Sequence, residues 1–229
     1  APLLERFLAE PENTSPPSLR AQVLGDLALA DVRRGEPQRA CERAAAAIAV
    51  LESLPSDQRL PLSNVLATRG QCLRLLGQGE AALAAYERAS ALRYALLGTQ
   101  HLETAVADSN LAAAYYMAGR IGDARPLQRR AVATFESSGG SNSRHLANAL
   151  NNLASMAWAE GDLDEAEQAF AKALELQRAR FGDSAALGAL LNNLGKLRIL
   201  QGRLDEAEAL LAESLALQTR FVGADSPDA

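Results

Sequence analysis

The stretches Ala149-Leu-Asn-Asn-Leu-Ala154 and Gly161-Asp-Leu-Asp-Glu-Ala-Glu167 decide the fold, because near-copies of both occur further along the chain. Leu191-Asn-Asn-Leu-Gly195 repeats the first, and Gly202-Arg-Leu-Asp-Glu-Ala-Glu208 repeats the second. Internal repeats of this size indicate a stack of small supersecondary units, each of which buries its apolar face against its neighbours.

The repeat extends through most of the 229 residues with a period of 42, and of 41 in the last step. Its clearest mark is a line of glycines: Gly35, Gly77, Gly119, Gly161 and Gly202. Small residues lie seven positions before each of them: Ala28, Gly70, Ala112, Ala154 and Gly195. Alanine follows each glycine five residues later, at Ala40, Ala82, Ala124, Ala166 and Ala207. A second glycine line holds the same register: Gly98, Gly140, Gly182 and Gly223.

Each unit is predicted to be a pair of helices joined by a short turn. In the fourth unit, Leu150, Leu153 and Ala157 share one apolar face at helical spacing, and Gly161-Asp162 ends that helix. Acidic residues then begin the second helix, where negative charge complements the helix dipole. The small residues allow the two antiparallel helices to approach closely.

These residues resemble the tetratricopeptide repeat, and in particular its 42-residue kinesin-light-chain type, over residues 18–226. Leu97-Gly-Thr-Gln-His101 is similar to the loop between repeats of that family. The resemblance implies an all-α superhelical array, an α-solenoid of antiparallel helix pairs, with about five units and a leading partial helix. The predicted units are 18–60, 61–102, 103–144, 145–186 and 187–229, and they form one solenoid domain. The first unit is more degenerate, with Pro37 near the start of its second helix, where proline is tolerated.

The ends of the chain suggest a fragment of a longer array. Pro2–Leu8 is predicted to be the second helix of a preceding, incomplete unit, and residues up to 17 its connecting loop. Gly223–Asp228 is similar to a loop that leads into a further unit. Ser137–Ser143 is a polar loop inside the third unit, because the period continues past it.

Composition excludes several classes of function. Ala (47 residues) and Leu (39) make up over a third of the chain, and no apolar run approaches the length of a membrane span. A net charge of −5 argues against a nucleic-acid-binding protein, which needs a basic face. Of the 23 cations 21 are Arg, a bias associated with GC-rich bacterial genomes.

Cys41 and Cys72 form no motif with each other or with histidine. The pattern favours two buried thiols in a reducing compartment, with a disulfide between neighbouring helices as the alternative. His101 and His145 have no companions at ligand spacing, so no metal and no other cofactor is predicted.

The resemblance places a binding groove along the first helices, at positions 2, 5, 6, 9, 12 and 13 of each. Mapping by repeat register gives these peptide-binding candidates: Gln71, Arg74, Asn110, Tyr116, Asn148, Asn151, Asn152, Ser155, Trp158, Asn192, Asn193 and Lys196. Asparagine is a poor residue inside a helix, and its amide suits the backbone of an extended peptide. Alternatively, these amides link neighbouring helices within the stack. Tyr116 and Trp158, one repeat apart, are either anchor sites for a partner or core.

Two other functions find no support in the sequence. The two-carboxylate clamp known from this family needs basic residues at the second, fifth and sixth positions of the first helices, and none is present there. The sequence contains no nucleophile, phosphate-loop or zinc-protease motif, so this segment is not predicted to be an enzyme.

The sequence therefore predicts an interaction module that binds a peptide or protein segment in its groove. Its parent is expected to be a larger bacterial signalling protein such as a Ser/Thr kinase. The expected location is the cytoplasm, or the periplasmic side if the parent is anchored in a membrane. The alternatives are a small-molecule sensor with a closed pocket around Tyr116, Met117 and Trp158, and a spacer or self-association element.

Overall fold

The computed structural model describes residues 15–55, 60–138 and 143–222, which form ten α-helices. The chain divides into two compact units, Ala1–Ala118 and Gly119–Ala229. The predicted helix Pro2–Leu8, the loop Gly223–Asp228 and the middle of the Ser137–Ser143 loop lie outside the described residues.

Unit 1 (Ala1–Ala118) contains five described helices that pack in chain order. They are α1 (Pro17–Arg33), α2 (Pro37–Ser53), α3 (Leu60–Leu75), α4 (Gly79–Leu97) and α5 (Leu102–Met117). Each helix packs against the next, and α1 also contacts α3, so the first helices of the first two pairs lie side by side.

Unit 2 (Gly119–Ala229) repeats this arrangement. Its described helices are α6 (Ile121–Ser137), α7 (Ser143–Ala159), α8 (Leu163–Phe181), α9 (Ala185–Leu200) and α10 (Leu204–Val222). Here too each helix packs against the next, and α7 contacts α9. The predicted all-α array of consecutive antiparallel helix pairs is confirmed.

The first glycine line marks the tight turns. Gly35, Gly77, Gly119, Gly161 and Gly202 all have φ between 73° and 81°, a conformation that costs little only without a Cβ. The residue after the glycine closes the turn: Gln78 N donates to Leu73 O, and Asp162 N donates to Ala157 O, both at 2.9 Å. These are the long hydrogen bonds of a Schellman helix end.

The small residues are buried where helices approach closely. Ala28, Ala112 and Ala154 are fully buried, as are most alanines five residues after the turn glycines. Gly70 shows why the position must be small: a Cβ there would lie 2.8 Å from the ring of Tyr86 on α4. Gly195 lies equally close to Leu211, which holds the same repeat position as Tyr86.

The second helices begin as their sequences indicate. Pro37 is the first residue of α2, where its missing N–H costs nothing. Asp162 caps α8, because its carboxylate accepts a hydrogen bond from Glu165 N at 3.2 Å.

The structure corrects the prediction for the two cysteines. Cys41 and Cys72 form a disulfide, and their Cα atoms are 5.6 Å apart. The two free thiols favoured from the sequence are therefore wrong, and the alternative, a disulfide between neighbouring helices, is present. It forms because α2 packs antiparallel to α3, which brings the first turns of α2 beside the last turns of α3. Since the thiols are not free, they no longer support a reducing compartment.

Gly70→Ala is expected to destabilise the protein by about 1–3 kcal/mol, because the new methyl group overlaps the Tyr86 ring. Gly79→Ala is the matched control, since a Cβ at Gly79 meets nothing within 4 Å. Urea unfolding of both variants measures the effect. Equal stability of Gly70→Ala and the wild type would show that the close contact is not required.

Reduction of the disulfide is expected to lower the free energy of unfolding by roughly 2–4 kcal/mol, because the bond closes a loop across 31 residues. Unfolding with and without dithiothreitol measures the loss, and a Cys41→Ala, Cys72→Ala variant should not respond to the reductant. Thiol titration of the unreduced, denatured protein should detect no free thiol. Two titratable thiols would contradict the pairing.

Candidate functional site

A cavity of about 490 Å³ lies along the first helices of unit 1. Helices α1, α3 and α5 contribute side chains to it from the second, fifth and sixth repeat positions, and α4 contributes one residue, Arg93. The polar lining consists of Gln22, Asp26, Asn64, Thr68, Gln71, Arg93 and Asn110. The repeat register therefore brings matching positions of three consecutive repeats to one surface.

Two of the predicted site residues, Gln71 and Asn110, line this cavity and are half-buried. Asn64, the second-position amide of its repeat, is exposed and lines it too. The Thr68 hydroxyl is turned back to its own helix, donating to Asn64 O at 3.1 Å. The amide side chains are thus the groups best placed to contact a ligand.

Arg93 is the lining residue that the sequence analysis missed. Its side chain is buried, Nη2 donates to Asn64 Oδ1, and Nη2 lies 3.3 Å from Glu103 Oε2. Burial lowers the pKa of Arg93, and Glu103 offsets this only in part. The repeat register could have revealed it, because the equivalent positions hold the buried residues Leu51 and Phe135.

The other predicted residues of unit 1 lie apart from this cavity. Exposed Arg74 lines a second cavity of about 220 Å³, with Tyr86 and Met117. Burial raises the pKa of the Tyr86 hydroxyl, and Arg74 opposes that shift. Tyr116 is half-buried and lines neither of these two cavities.

In unit 2 the predicted residues lie on α7 and α9. Asn193 Nδ2 donates to Asn151 Oδ1 at 3.2 Å, which is the link between neighbouring first helices considered as the alternative for these amides. The Ser155 hydroxyl donates to Asn151 O at 3.0 Å. Asn152, Trp158 and Asn192 are half-buried, and Asn148 and Lys196 are exposed.

A cluster of ion pairs in unit 2 also escaped the sequence analysis. Arg125 of α6 donates to Glu160 and Glu165, each at 2.6 Å, and to Asp162. These hydrogen bonds raise the pKa of Arg125 above its usual range and lower that of the Asp162 carboxyl. The acidic residues at the start of α8 therefore form ion pairs with α6 and also complement the dipole of their own helix. The sequence could have indicated this contact, because Arg125 and Glu165 are 40 residues apart, which is close to one repeat period.

Asp108 is a buried carboxyl in the same unit as the 490 Å³ cavity. It accepts a hydrogen bond from the Tyr94 hydroxyl at 2.6 Å, and burial raises its pKa to about 7. The other repeats have leucine at this position: Leu24, Leu66, Leu150 and Leu191. The contact between α4 and α5 is thus more polar than its counterparts.

None of the helices in 15–55, 60–138 and 143–222 is long and apolar enough to cross a membrane. No group of three or more His, Cys, Asp or Glu side chains in those ranges is arranged to hold a metal ion.

The sequence matches the family model of the tetratricopeptide repeat over residues 68–137 and 145–220. No curated protein matches it.

The fold is similar to several solved structures. BtubC (BKLC) from P. vanneervenii is 20% identical, with a TM-score of 0.76, over 92% of this chain and 84% of that one. A putative kinesin light chain from Podospora anserina with nearly identical TPR-like repeats is 22% identical, with a TM-score of 0.72, over 90% and 98%. The apo form of RapI is 12% identical, with a TM-score of 0.66, over 93% and 87%. At these identities the likeness shows the fold alone.

The raised pKa of Asp108 predicts a pH-dependent stability. Between about pH 4 and pH 7 the folded protein keeps a proton that the unfolded chain, with a pKa of 3.8, has released, so this group's contribution to stability is lost as the pH rises. The loss is at most about 1.4 kcal/mol per pH unit. Asp108→Asn removes the titrating group and should flatten this part of the pH profile in urea unfolding. Parallel profiles for both proteins would contradict the assignment.

Proposed function

We propose that this chain, which belongs to the tetratricopeptide repeat family, binds an extended protein segment along the first helices of its repeats. Tetratricopeptide repeat domains are in general protein–protein interaction modules. The observation that carries the proposal is the 490 Å³ cavity of unit 1, where three consecutive repeats contribute equivalent positions to one surface.

The chemistry of that surface suits a peptide backbone. Gln22, Asn64, Gln71 and Asn110 are amides, and each offers donors and an acceptor in the way that a peptide group does. Gln22 and Asn64 hold the second position of consecutive repeats, and Asn110 lies on the first helix of the next, so a bound chain would meet an amide in each of the three repeats. Only two charged residues, Asp26 and Arg93, are among the lining residues.

The amides of unit 2 extend the proposal to a second surface. Asn152 and Asn192 are half-buried on α7 and α9, at the repeat positions that line the cavity in unit 1. The bond between Asn151 and Asn193 would hold these helices in register for a ligand.

We place the module in a larger bacterial signalling protein as its regulatory or scaffolding part. The arginine bias of the composition supports a bacterial source. Reading the coding sequence on both sides of this segment tests the assignment, and a parent without a signalling domain would overturn it.

A small-molecule sensor is less well supported. The cavity lined by Met117, Tyr86 and Arg74 measures about 220 Å³, below the several hundred Å³ of ordinary ligand pockets. Met117 is also 64% exposed, so its side chain does not enclose a ligand.

Selection from a library of random decapeptides displayed within a carrier-protein loop tests the proposed function. A variant with Gln22→Ala, Gln71→Ala and Asn110→Ala should bind the selected peptide at least about tenfold more weakly, since each lost hydrogen bond contributes about 0.5–1.5 kcal/mol. The matched control replaces three exposed amides of second helices, Gln38, Gln168 and Gln218, with alanine.

Fluorescence anisotropy with the synthetic peptide measures both variants after circular dichroism has shown that they fold. A peptide lost by the control and kept by the groove variant would place the site on the second helices. A library that yields no binding peptide would contradict recognition of an extended segment.

A further inference from the structure

The position of Arg93 is occupied by a charge in one repeat alone among those described. Its equivalents in the other repeats are Leu51, Phe135 and Gln177, which are buried, and Gln218, which is exposed. An arginine at such a position costs free energy unless its charge and its N–H groups are compensated. Since leucine and phenylalanine fill the same position elsewhere, the fold itself does not require a cation there.

The charge and the N–H groups of Arg93 are only partly compensated by neighbouring side chains. Nη2 contacts Asn64 and Glu103, but Nη1 is buried and makes no hydrogen bond to any residue in the described ranges. Glu103 is itself 55% exposed and therefore screened by water. The side chain of Arg93 is 4% exposed and lines the 490 Å³ cavity.

We propose that Arg93 recognises an acidic side chain, Asp or Glu, of the segment that binds in this cavity, through a hydrogen bond from its guanidinium group to the carboxylate. This rests on the proposed function, which it makes more specific. A carboxylate would satisfy the remaining N–H groups and the uncompensated charge together, and such charge-assisted bonds are among the strongest in proteins.

The second charged residue of the cavity, Asp26, restricts the sequence of the ligand further. Asp26 is exposed on α1 and repels a second carboxylate. The amides of Gln22, Asn64 and Gln71 suit uncharged backbone on either side. The expected ligand therefore carries one acidic residue in an otherwise neutral or basic stretch. This differs from the two-carboxylate clamp, whose basic residues lie on first helices, whereas Arg93 lies on the second helix α4.

A positional-scanning library of N-acetylated, C-amidated octapeptides tests the inference, because the caps leave side chains as the only carboxylates. The wild type should prefer Asp or Glu over Asn or Gln at one position by at least tenfold. Arg93→Leu, which introduces the residue found at position 51, and Arg93→Gln, which introduces the residue found at position 177, should both abolish the preference. Arg88→Leu removes an exposed arginine of the same helix and should keep it.

Thermal unfolding separates recognition from a structural role. Arg93→Leu should unfold at the same or a higher temperature than the wild type, and a clear fall would show that Arg93 is needed for the fold and overturn the inference.

The binding outcomes separate the two proposals. This inference is wrong if peptides bind without a preference for an acidic residue, or if that preference is unchanged in Arg93→Leu. Either result would still support the proposed function. The same peptides with a free C-terminus are measured beside the amidated ones, and binding by the free peptides alone would overturn the side-chain source in favour of a terminal carboxylate. No binding by any library member would overturn both.

Discussion

The close approach of the two helices within a repeat is the contact on which the other features depend. Where Gly70 faces Tyr86, and Gly195 faces Leu211, a single methyl group would overlap the partner side chain. Because this contact recurs at a fixed register, each first helix presents the same positions away from its second helix. The repeated amides reach a common surface for that reason, and the cavity of unit 1 is a product of the packing.

The fold was predictable from sequence because its determinants recur. Gly35, Gly77 and Gly161 predict turns that need positive φ, and the small residues before them predict close packing, so each repeat confirmed the interpretation of the others. The residues that line the cavity of unit 1 follow the same register. The features that were missed occur once: Arg93 replaces a buried apolar residue, and Arg125 links carboxylates on two elements. The disulfide of Cys41 and Cys72 also occurs once, and the sequence offered it only as the alternative. A periodic pattern carries no information about single departures from it, and only the three-dimensional contacts show what those departures do.

Unit 1 concentrates buried polarity at the junction of α4 and α5. Asp108 occupies a position that is leucine in the other repeats, and Arg93 a position that is leucine or phenylalanine in two of them. Asp108 is engaged by Tyr94 inside the junction, whereas Arg93 extends to the cavity. Buried polar groups are costly when incompletely satisfied, and the two residues are accommodated in different ways. Burial raises the pKa of Asp108, which favours its neutral form, whereas Arg93 lies beside the cavity.

The disulfide changes how the array can open. In a repeat protein each unit is held only by its neighbours, so terminal units fray by local unfolding well below the global transition. Cys41 lies in the second helix of one repeat and Cys72 in the first helix of the next. The bond therefore prevents these two repeats from separating, even when their noncovalent contacts break. In hydrogen exchange, α2 and α3 would protect their amides as one cooperative block, and under mechanical tension the chain between the cysteines could not extend. Unfolding that spreads along the array therefore cannot divide the chain between these two repeats.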